Sequence, residues 1–322
     1  MTAKAAAPSV TAESIRRAAA GLEGVALRTP LVALPAMARQ PGAAVFVKCE
    51  QLQPVGAFKV RGAFTALSRL SAADRARGVI THSSGNHGQA VAFAAKHFGV
   101  PAVVVMPADA PPIKQDGVRR HGAEISLVTD RSDRVPRCEA IAAERGMVIV
   151  PPYENLDVIA GQATCGLEIL EQRPDVSVIL VPVGGGGLIA GVASAVRHFA
   201  PAVRVIGVEP EGAPKLARAL AAGHPVTLDH TDSIADGLLP RAVGTLPFAA
   251  MEGIVSEAVQ VSEAEIAEAV RHLHAAAGLV VEPSGAVTTA ALLAGRATAS
   301  GTVVAIASGG NVDPGLFERL TH

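Results

Sequence analysis

Apolar residues along this chain follow two alternating patterns. Short, nearly uninterrupted runs at 44–48, 78–82, 102–106, 124–128, 147–150, 177–183, 203–209 and 302–307 predict strands. Between them, apolar positions recur every three or four residues at 61–69, 88–97, 113–121, 133–145, 157–171, 188–198 and 263–277, which predicts helices. A further polar-faced helix is predicted at 14–21. Strand, helix and strand in succession predict an α/β fold, a mostly parallel sheet with helices on both faces. The runs at 178–183 and 303–307 are almost wholly apolar, as expected of central strands covered on both sides. No repeat period appears, and the alanine-rich stretch 3–7 is expected to be disordered.

Composition narrows the function classes. The 322 residues suffice for one large domain or two ordinary ones. Lys and Arg number 28 against 29 Asp and Glu, a net charge of −1, which gives no general attraction to nucleic acid or anionic membranes. Aromatic residues are 3 % with no Trp, which argues against base-stacking platforms. No run of apolar residues is long enough for a membrane span, and the N-terminus lacks a continuous apolar signal region. Three dispersed cysteines, Cys49, Cys138 and Cys165, fit a reducing compartment and no zinc site, so a cytoplasmic protein is expected.

Open parallel sheets bind ligands where loops leave the carboxyl ends of strands, and four such loops carry unusual sequences. In Pro54-Val55-Gly56-Ala57-Phe58-Lys59-Val60-Arg61-Gly62, a lysine follows an aromatic residue at a turn-to-helix junction. An amine held against apolar groups has a lowered pKa and can attack a carbonyl to form a Schiff base. Taken singly, Lys59 reads as a solvated charge on a first helical turn. In His82-Ser83-Ser84-Gly85-Asn86-His87-Gly88-Gln89, a predicted helix start coincides with a cluster of side-chain donors. One such residue would cap the helix; the cluster suggests a cradle for a small anion. In Val183-Gly184-Gly185-Gly186-Gly187-Leu188, four glycines let the backbone wrap a phosphate. No lysine follows, so this is not a Walker A loop. A dinucleotide fingerprint is the rival reading, with Glu209 as its acid, but Ile189 stands where the third glycine belongs. The fourth loop, Ala307-Ser308-Gly309-Gly310-Asn311, reads as a tight turn or as a serine hydroxyl set against a heterocyclic nitrogen.

In combination these segments resemble the serine/threonine dehydratase and serine racemase family of fold-type-II pyridoxal-phosphate enzymes. The matching pieces are Gly56-Ala57-Phe58-Lys59-Val60-Arg61-Gly62-Ala63, Ser83-Ser84-Gly85-Asn86-His87-Gly88, Ile159-Ala160-Gly161-Gln162, Pro182-Val183-Gly184-Gly185-Gly186-Gly187, Ile234-Ala235-Asp236-Gly237, Glu282-Pro283-Ser284-Gly285 and Ser308-Gly309-Gly310-Asn311. They occur in family order and span nearly the whole chain.

The resemblance implies a tryptophan-synthase-β-like fold of two open, twisted, mostly parallel sheets with helices on both faces. It implies a large cofactor-binding domain from residues 1–74 and 153–322, and a small mobile domain from 75–152 that carries the substrate-carboxylate loop. The cofactor is pyridoxal 5'-phosphate. Lys59 carries it as a Schiff base, Phe58 packs on its ring, and Asn86 contacts the ring 3-hydroxyl. Gly184, Gly185, Gly186 and Gly187 hold the phosphate, and Ser308 bonds the ring nitrogen. Ser83, Ser84, Asn86 and His87 surround the substrate carboxylate, with Ser84 on the cofactor face opposite Lys59. The implied reaction converts a β-hydroxy amino acid such as L-threonine or L-serine to a 2-oxo acid and ammonia. Lys59 takes the Cα proton, and its return by Ser84 makes racemisation a side reaction. Alternatives are a dehydratase for 3-hydroxyaspartate or a bulkier substrate, a β-replacement enzyme of the cysteine-synthase kind and, in a different class, a nicotinamide-dependent oxidoreductase. The family also implies a homodimer or homotetramer.

Some relatives hold a divalent cation, Mg or Ca, through an acid, a backbone carbonyl and a second acid. Glu209 and Ala213 match the first two, but Lys215 stands where the second acid belongs. Glu211 is a substitute ligand, or else Glu209 pairs with a surface cation. Arg134 and Arg137 stand where some relatives place a substrate-contacting arginine, with ordinary surface positions as the alternative. Arg241 is a candidate reader of a second substrate carboxylate. The chain ends soon after the Ser308 loop, which leads to the expectation of a catabolic enzyme without a regulatory domain.

Overall fold

The computed structural model describes residues 9–37, 43–83, 85–297 and 301–322; the alanine-rich stretch 3–7 and Ser84 lie outside them. The described residues form two sheets. The larger is assembled from β1 (Leu31–Ala33), β2 (Ala44–Cys49), β7 (Val176–Pro182), β8 (Arg204–Pro210), β9 (Val255–Val261) and β10 (Thr302–Ala307). Its spatial order is β1-β2-β10-β7-β8-β9, parallel throughout except for the β1–β2 pair. The smaller sheet comes wholly from residues 79–149, namely β3 (Val79–His82), β4 (Ala102–Pro107), β5 (Glu124–Val128) and β6 (Val148–Ile149). Its order is β5-β4-β3-β6, all parallel.

The apolar runs became the strands they predicted. β10 is buried at every position and β7 at all but one, as central strands covered on both faces must be. Two strands escaped the pattern. β1 is a three-residue antiparallel edge, and β9 is an edge strand that alternates Val with Ser, Glu and Gln, so neither forms a continuous run. The helix Pro283–Leu293 was missed for the opposite reason. It is buried all round, from Pro283 to Leu292, and therefore carries no amphipathic stripe.

Three helices pack in series behind the site: Lys59–Ser68, Leu156–Gln172 and Gly187–Phe199. Their crossings need glycine because the backbones touch. A Cβ on Gly161 would overlap the Arg61 carbonyl and the Gly62 Cα, and one on Gly191 would stand 2.6 Å from the Ala163 nitrogen. The first crossing ties the helix of Lys59 to the middle helix. The second ties that helix to the one that opens at the glycine run. No helix among the described residues is long and apolar enough to cross a membrane. All three cysteines are free and buried.

Candidate active site

Lys59 opens its helix at the carboxyl edge of the larger sheet. The turn before it is stitched to the loop after β10. Phe58 N donates to Ser308 O at 3.1 Å, Gly310 N donates to Gly56 O at 2.9 Å, and Ala57 and Gly309 form an isolated antiparallel bridge. Gly56 has φ +68°, a conformation side chains resist, and any Cβ there would meet the Asn311 amide oxygen at 2.6 Å.

Below the turn, the same helix is anchored by a buried ionic cluster. Arg61 Nε and Nη2 donate to Glu50 at 2.7 and 2.8 Å, and Nη1 and Nη2 to Glu168 at 2.7 and 2.9 Å. Lys48 Nζ donates to the same Glu168 at 2.6 Å. Burial opposes both charges of the central pair. Arg61 nevertheless pulls the Glu50 carboxyl below its ordinary range, and Glu50 with Glu168 keeps the guanidinium charged. Sequence reasoning assigned no role to Glu50, Glu168 or Lys48, because their partners lie far away in the chain.

The Lys59 amine is half-buried. Its Nζ donates to Pro152 O at 3.0 Å and lies 5.1 Å from the centre of the Phe58 ring. Desolvation lowers its pKa from 10.5 to about 8. Pro152 O is also 3.6 Å from where a Cβ would stand on Gly187, and a Cβ on Gly185 would overlap the edge of the Tyr153 ring at 2.1 Å. Lys59 and the glycine run therefore meet through Pro152 and Tyr153. Gly186 has φ +94° and leads into the helix Gly187–Phe199, whose first amides have no partner within the helix. Bare backbone at a helix N-terminus beside a neutralisable amine suits a phosphorylated aldehyde.

Asn86, at the start of its helix, is fixed from two sides. Its Nδ2 donates to Glu282 Oε1 at 2.5 Å, and its Oδ1 accepts from Asn311 Nδ2 at 2.8 Å. Ser83 is buried, and its hydroxyl accepts from Gly85 N at 3.1 Å, which sets the loop. Ser84 is outside the described residues. His87 differs from expectation. Its Nε2 donates to Val150 O at 3.0 Å, and burial, helped by the Lys59 charge, lowers its pKa to about 3. A neutral ring with its one proton committed to Val150 has none left for a carboxylate, so His87 anchors the loop. Thr81 Oγ1, His87 Nδ1 and Gln89 Nε2 are buried without a hydrogen-bond partner among the described residues. Unmet polar atoms of this kind cost about 1–3 kcal/mol each. Ser308 is buried at the end of β10, beside Phe58.

One further residue joins the two sheets. Lys114, from the helix Pro112–Arg120, lies over Gly85 and reaches Asp236 at 2.5 Å and Glu282 at 3.6 Å. Burial works against its charge, but Glu282 and Asp236 outweigh it and raise its pKa. Glu282 is itself raised by burial and by Asp236, despite Lys114. Nothing in the local sequence distinguishes Lys114 from any polar helix residue. Of the arginine candidates, Arg137 is exposed and faces Ser126, and the exposed Arg241 donates to Leu228 O at 2.6 Å. Arg134 Nε donates to Arg131 O at 2.9 Å, and its charge acts on His82 and Tyr153 beside the site.

The metal candidates do not form a divalent-cation site. Glu209 and Ala213 O are both occupied by the buried Lys215 ammonium, at 3.2 and 2.9 Å. The proposed surface cation is thus an internal one. Glu211 is about half exposed and lies 3.9 Å from Arg296, too far out to substitute.

A family model described as pyridoxal-phosphate dependent enzyme matches residues 22–309. The chain belongs to the pyridoxal-phosphate-dependent enzyme family. This sets aside the dinucleotide reading of the glycine run. Within the family, the chain is 40 % identical over 314 residues to an L-threonine ammonia-lyase of Thermotoga maritima, covering 97 % of this chain and 78 % of that protein. It is 39 % identical over 308 residues to an L-threo-3-hydroxyaspartate ammonia-lyase of a Pseudomonas species, covering 94 % and 96 %. The structure of maize serine racemase superposes with a TM-score of 0.92 at 37 % identity, covering 96 % of each chain. The two-sheet architecture is that of the fold-type-II pyridoxal-phosphate enzymes.

Proposed function

We propose that this protein is a pyridoxal-phosphate-dependent ammonia-lyase that converts a β-hydroxy amino acid, L-threonine or L-serine, to a 2-oxo acid and ammonia. The observation that carries this reading is Lys59: a half-buried amine brought to a pKa of about 8 and joined through Pro152 and Tyr153 to a bare glycine loop. In this reading Lys59 carries the cofactor, Gly184 to Gly187 hold its phosphate, Phe58 lies against the ring, and Asn86 and Ser308 meet the ring hydroxyl and nitrogen. When bound, the cofactor supplies an electron sink that acidifies the substrate Cα.

This chain's residues do the rest. With its lowered pKa, the Lys59 amine accepts the Cα proton near neutral pH. Ser83 and the 85–89 backbone at the helix start receive the substrate carboxylate. Glu282 and Asn311 hold Asn86 in one orientation. Lys114 draws the 75–152 region onto Asp236 and Glu282, excluding water as a small domain closes on a large one. Arg241 is exposed and its Nε donates to Leu228 O, so 3-hydroxyaspartate belongs in the substrate panel beside L-threonine and L-serine. The ammonia-lyase and racemase relatives support the same chemistry. We place the enzyme in the cytoplasm as a homodimer or homotetramer.

The test is a panel of L-threonine, L-serine and 3-hydroxyaspartate, followed for 2-oxo acid without added thiol and for the D-enantiomer. L-Threonine or L-serine should give 2-oxo acid, and Lys59→Ala should abolish it together with the visible absorbance that borohydride bleaches. Oxo-acid release undiminished in Lys59→Ala, or no oxo acid but an S-substituted cysteine formed when a thiol is supplied, would sink the reading.

A further inference from the structure

At the carboxyl end of β8, two oxygens converge on one buried point. They are Oε1 of Glu209 and the carbonyl of Ala213, and the group between them is the ammonium of Lys215, 3.2 and 2.9 Å away. Both side chains are fully buried. The carboxylate is also committed on its other side, since Oε1 accepts from Leu216 N at 2.8 Å and Oε2 from Ala217 N at 3.0 Å. Glu209 thus holds the start of the helix Lys215–Ala222 and needs one positive partner inside the protein.

We infer that the Lys215 ammonium is a built-in cation standing where a divalent metal would otherwise bind, so that this enzyme is indifferent to divalent cations. Its donor set is the beginning of a hard-cation site, a carboxylate and a backbone carbonyl facing each other. A metal ion also needs further oxygens, and it cannot share the space with an ammonium about 3 Å from both donors. Among the described residues no cluster of three His, Cys, Asp or Glu side chains supplies them.

The place matters because of what hangs on it. The turn that Lys215 closes includes Gly212, whose carbonyl accepts from Asp232 N at 3.1 Å, four residues before the Asp236 that pairs with Lys114. β8 also pairs with β7, and Val208 O accepts from Val183 N at 2.9 Å, next to the glycine loop. A cation here therefore braces both the phosphate loop and the inter-sheet contact. A tethered ammonium does so without an equilibrium that a chelator could reverse.

This inference goes beyond the proposed reaction, and its readout is metal binding, which does not depend on what the enzyme turns over. The holoenzyme is unfolded thermally and titrated calorimetrically with MgCl2, CaCl2 or MnCl2, and separately with EDTA. Wild type should show no saturable heat and no shift in Tm up to about 10 mM, above the range of weak oxygen-ligand sites. Lys215→Asp removes the ammonium and adds the missing carboxylate. It should bind one divalent cation and gain about 4 °C at a hundredfold excess over Kd, and Glu209→Gln in that background should abolish the gain. A Lys215→Asp protein that folds only in the presence of metal supports the inference equally. Saturable metal binding by wild type overturns it. So does a folded Lys215→Asp protein that binds none, or one that stays unfolded in metal while Lys215→Met folds.

Discussion

The reactivity of Lys59 rests on its desolvation, and that has a measurable consequence. An ordinary lysine with a pKa of 10.5 is about 0.1 % neutral at about pH 7.5, whereas one at about 8 is about a quarter neutral, a gain of roughly 200-fold. The same shift corresponds to about 3 kcal/mol of lost hydration of the ammonium. The neutral amine is the form that attacks an aldehyde. Covalent uptake of pyridoxal phosphate by cofactor-stripped protein should therefore accelerate as pH rises and level off above a midpoint near 8. The assay mixes stripped protein with limiting pyridoxal phosphate between about pH 6 and 10 and follows the visible absorbance. Borohydride trapping and peptide mapping then assign the adduct to Lys59. Uptake that keeps rising to a midpoint near the ordinary lysine value of about 10.4 would refute the claim that burial prepares this amine. Uptake with a midpoint near 8 that maps to another lysine would refute its assignment to Lys59.

Other consequences concern the framework around that amine. Arg61→Met should cost about 3–5 kcal/mol in urea unfolding, because it leaves the fully buried Glu50 carboxylate without its main partner. Adding Glu50→Gln should recover part of the loss, a coupling that a double-mutant cycle measures. Gly161→Ala should cost about 1–3 kcal/mol by forcing apart the helices of Lys59 and of residues 156–172, and it should lower turnover more than unrelated mutations of equal stability cost. His87 is held neutral with a pKa of about 3, against an ordinary 6.5. Between those values the unfolded chain binds the extra proton and the folded protein does not. His87 therefore makes stability fall as pH drops from 6.5 towards 3. In His87→Gln that part of the acid sensitivity should disappear from unfolding curves collected across this range.

What the chain determined by itself was local and repetitive. Apolar runs placed the interior strands, since a strand buried on both faces has no polar position to interrupt it. The loops that carry chemistry were legible because glycine, serine and asparagine cluster there beyond what caps and turns require, and because their order along the chain matched a known family. Strands without a run, such as β1 and β9, and the all-buried helix Pro283–Leu293 lacked that signal. Tertiary structure decided the long-range electrostatics. Lys48, Glu50, Arg61 and Glu168 are spread over 121 positions (48 to 168) yet form one cluster. Lys114 reads as a surface residue until the fold sets it against Asp236 and Glu282. Lys215 reads as a departure from a metal site, and only the fold puts its ammonium inside it. The reason is physical: burial of apolar side chains follows from their own pattern, whereas the state of a charge depends on which partner folding brings within about 4 Å and how much water it removes. Lys59 stands on both sides of that line, since its loop marked it but only the packing around it lowers its pKa to about 8.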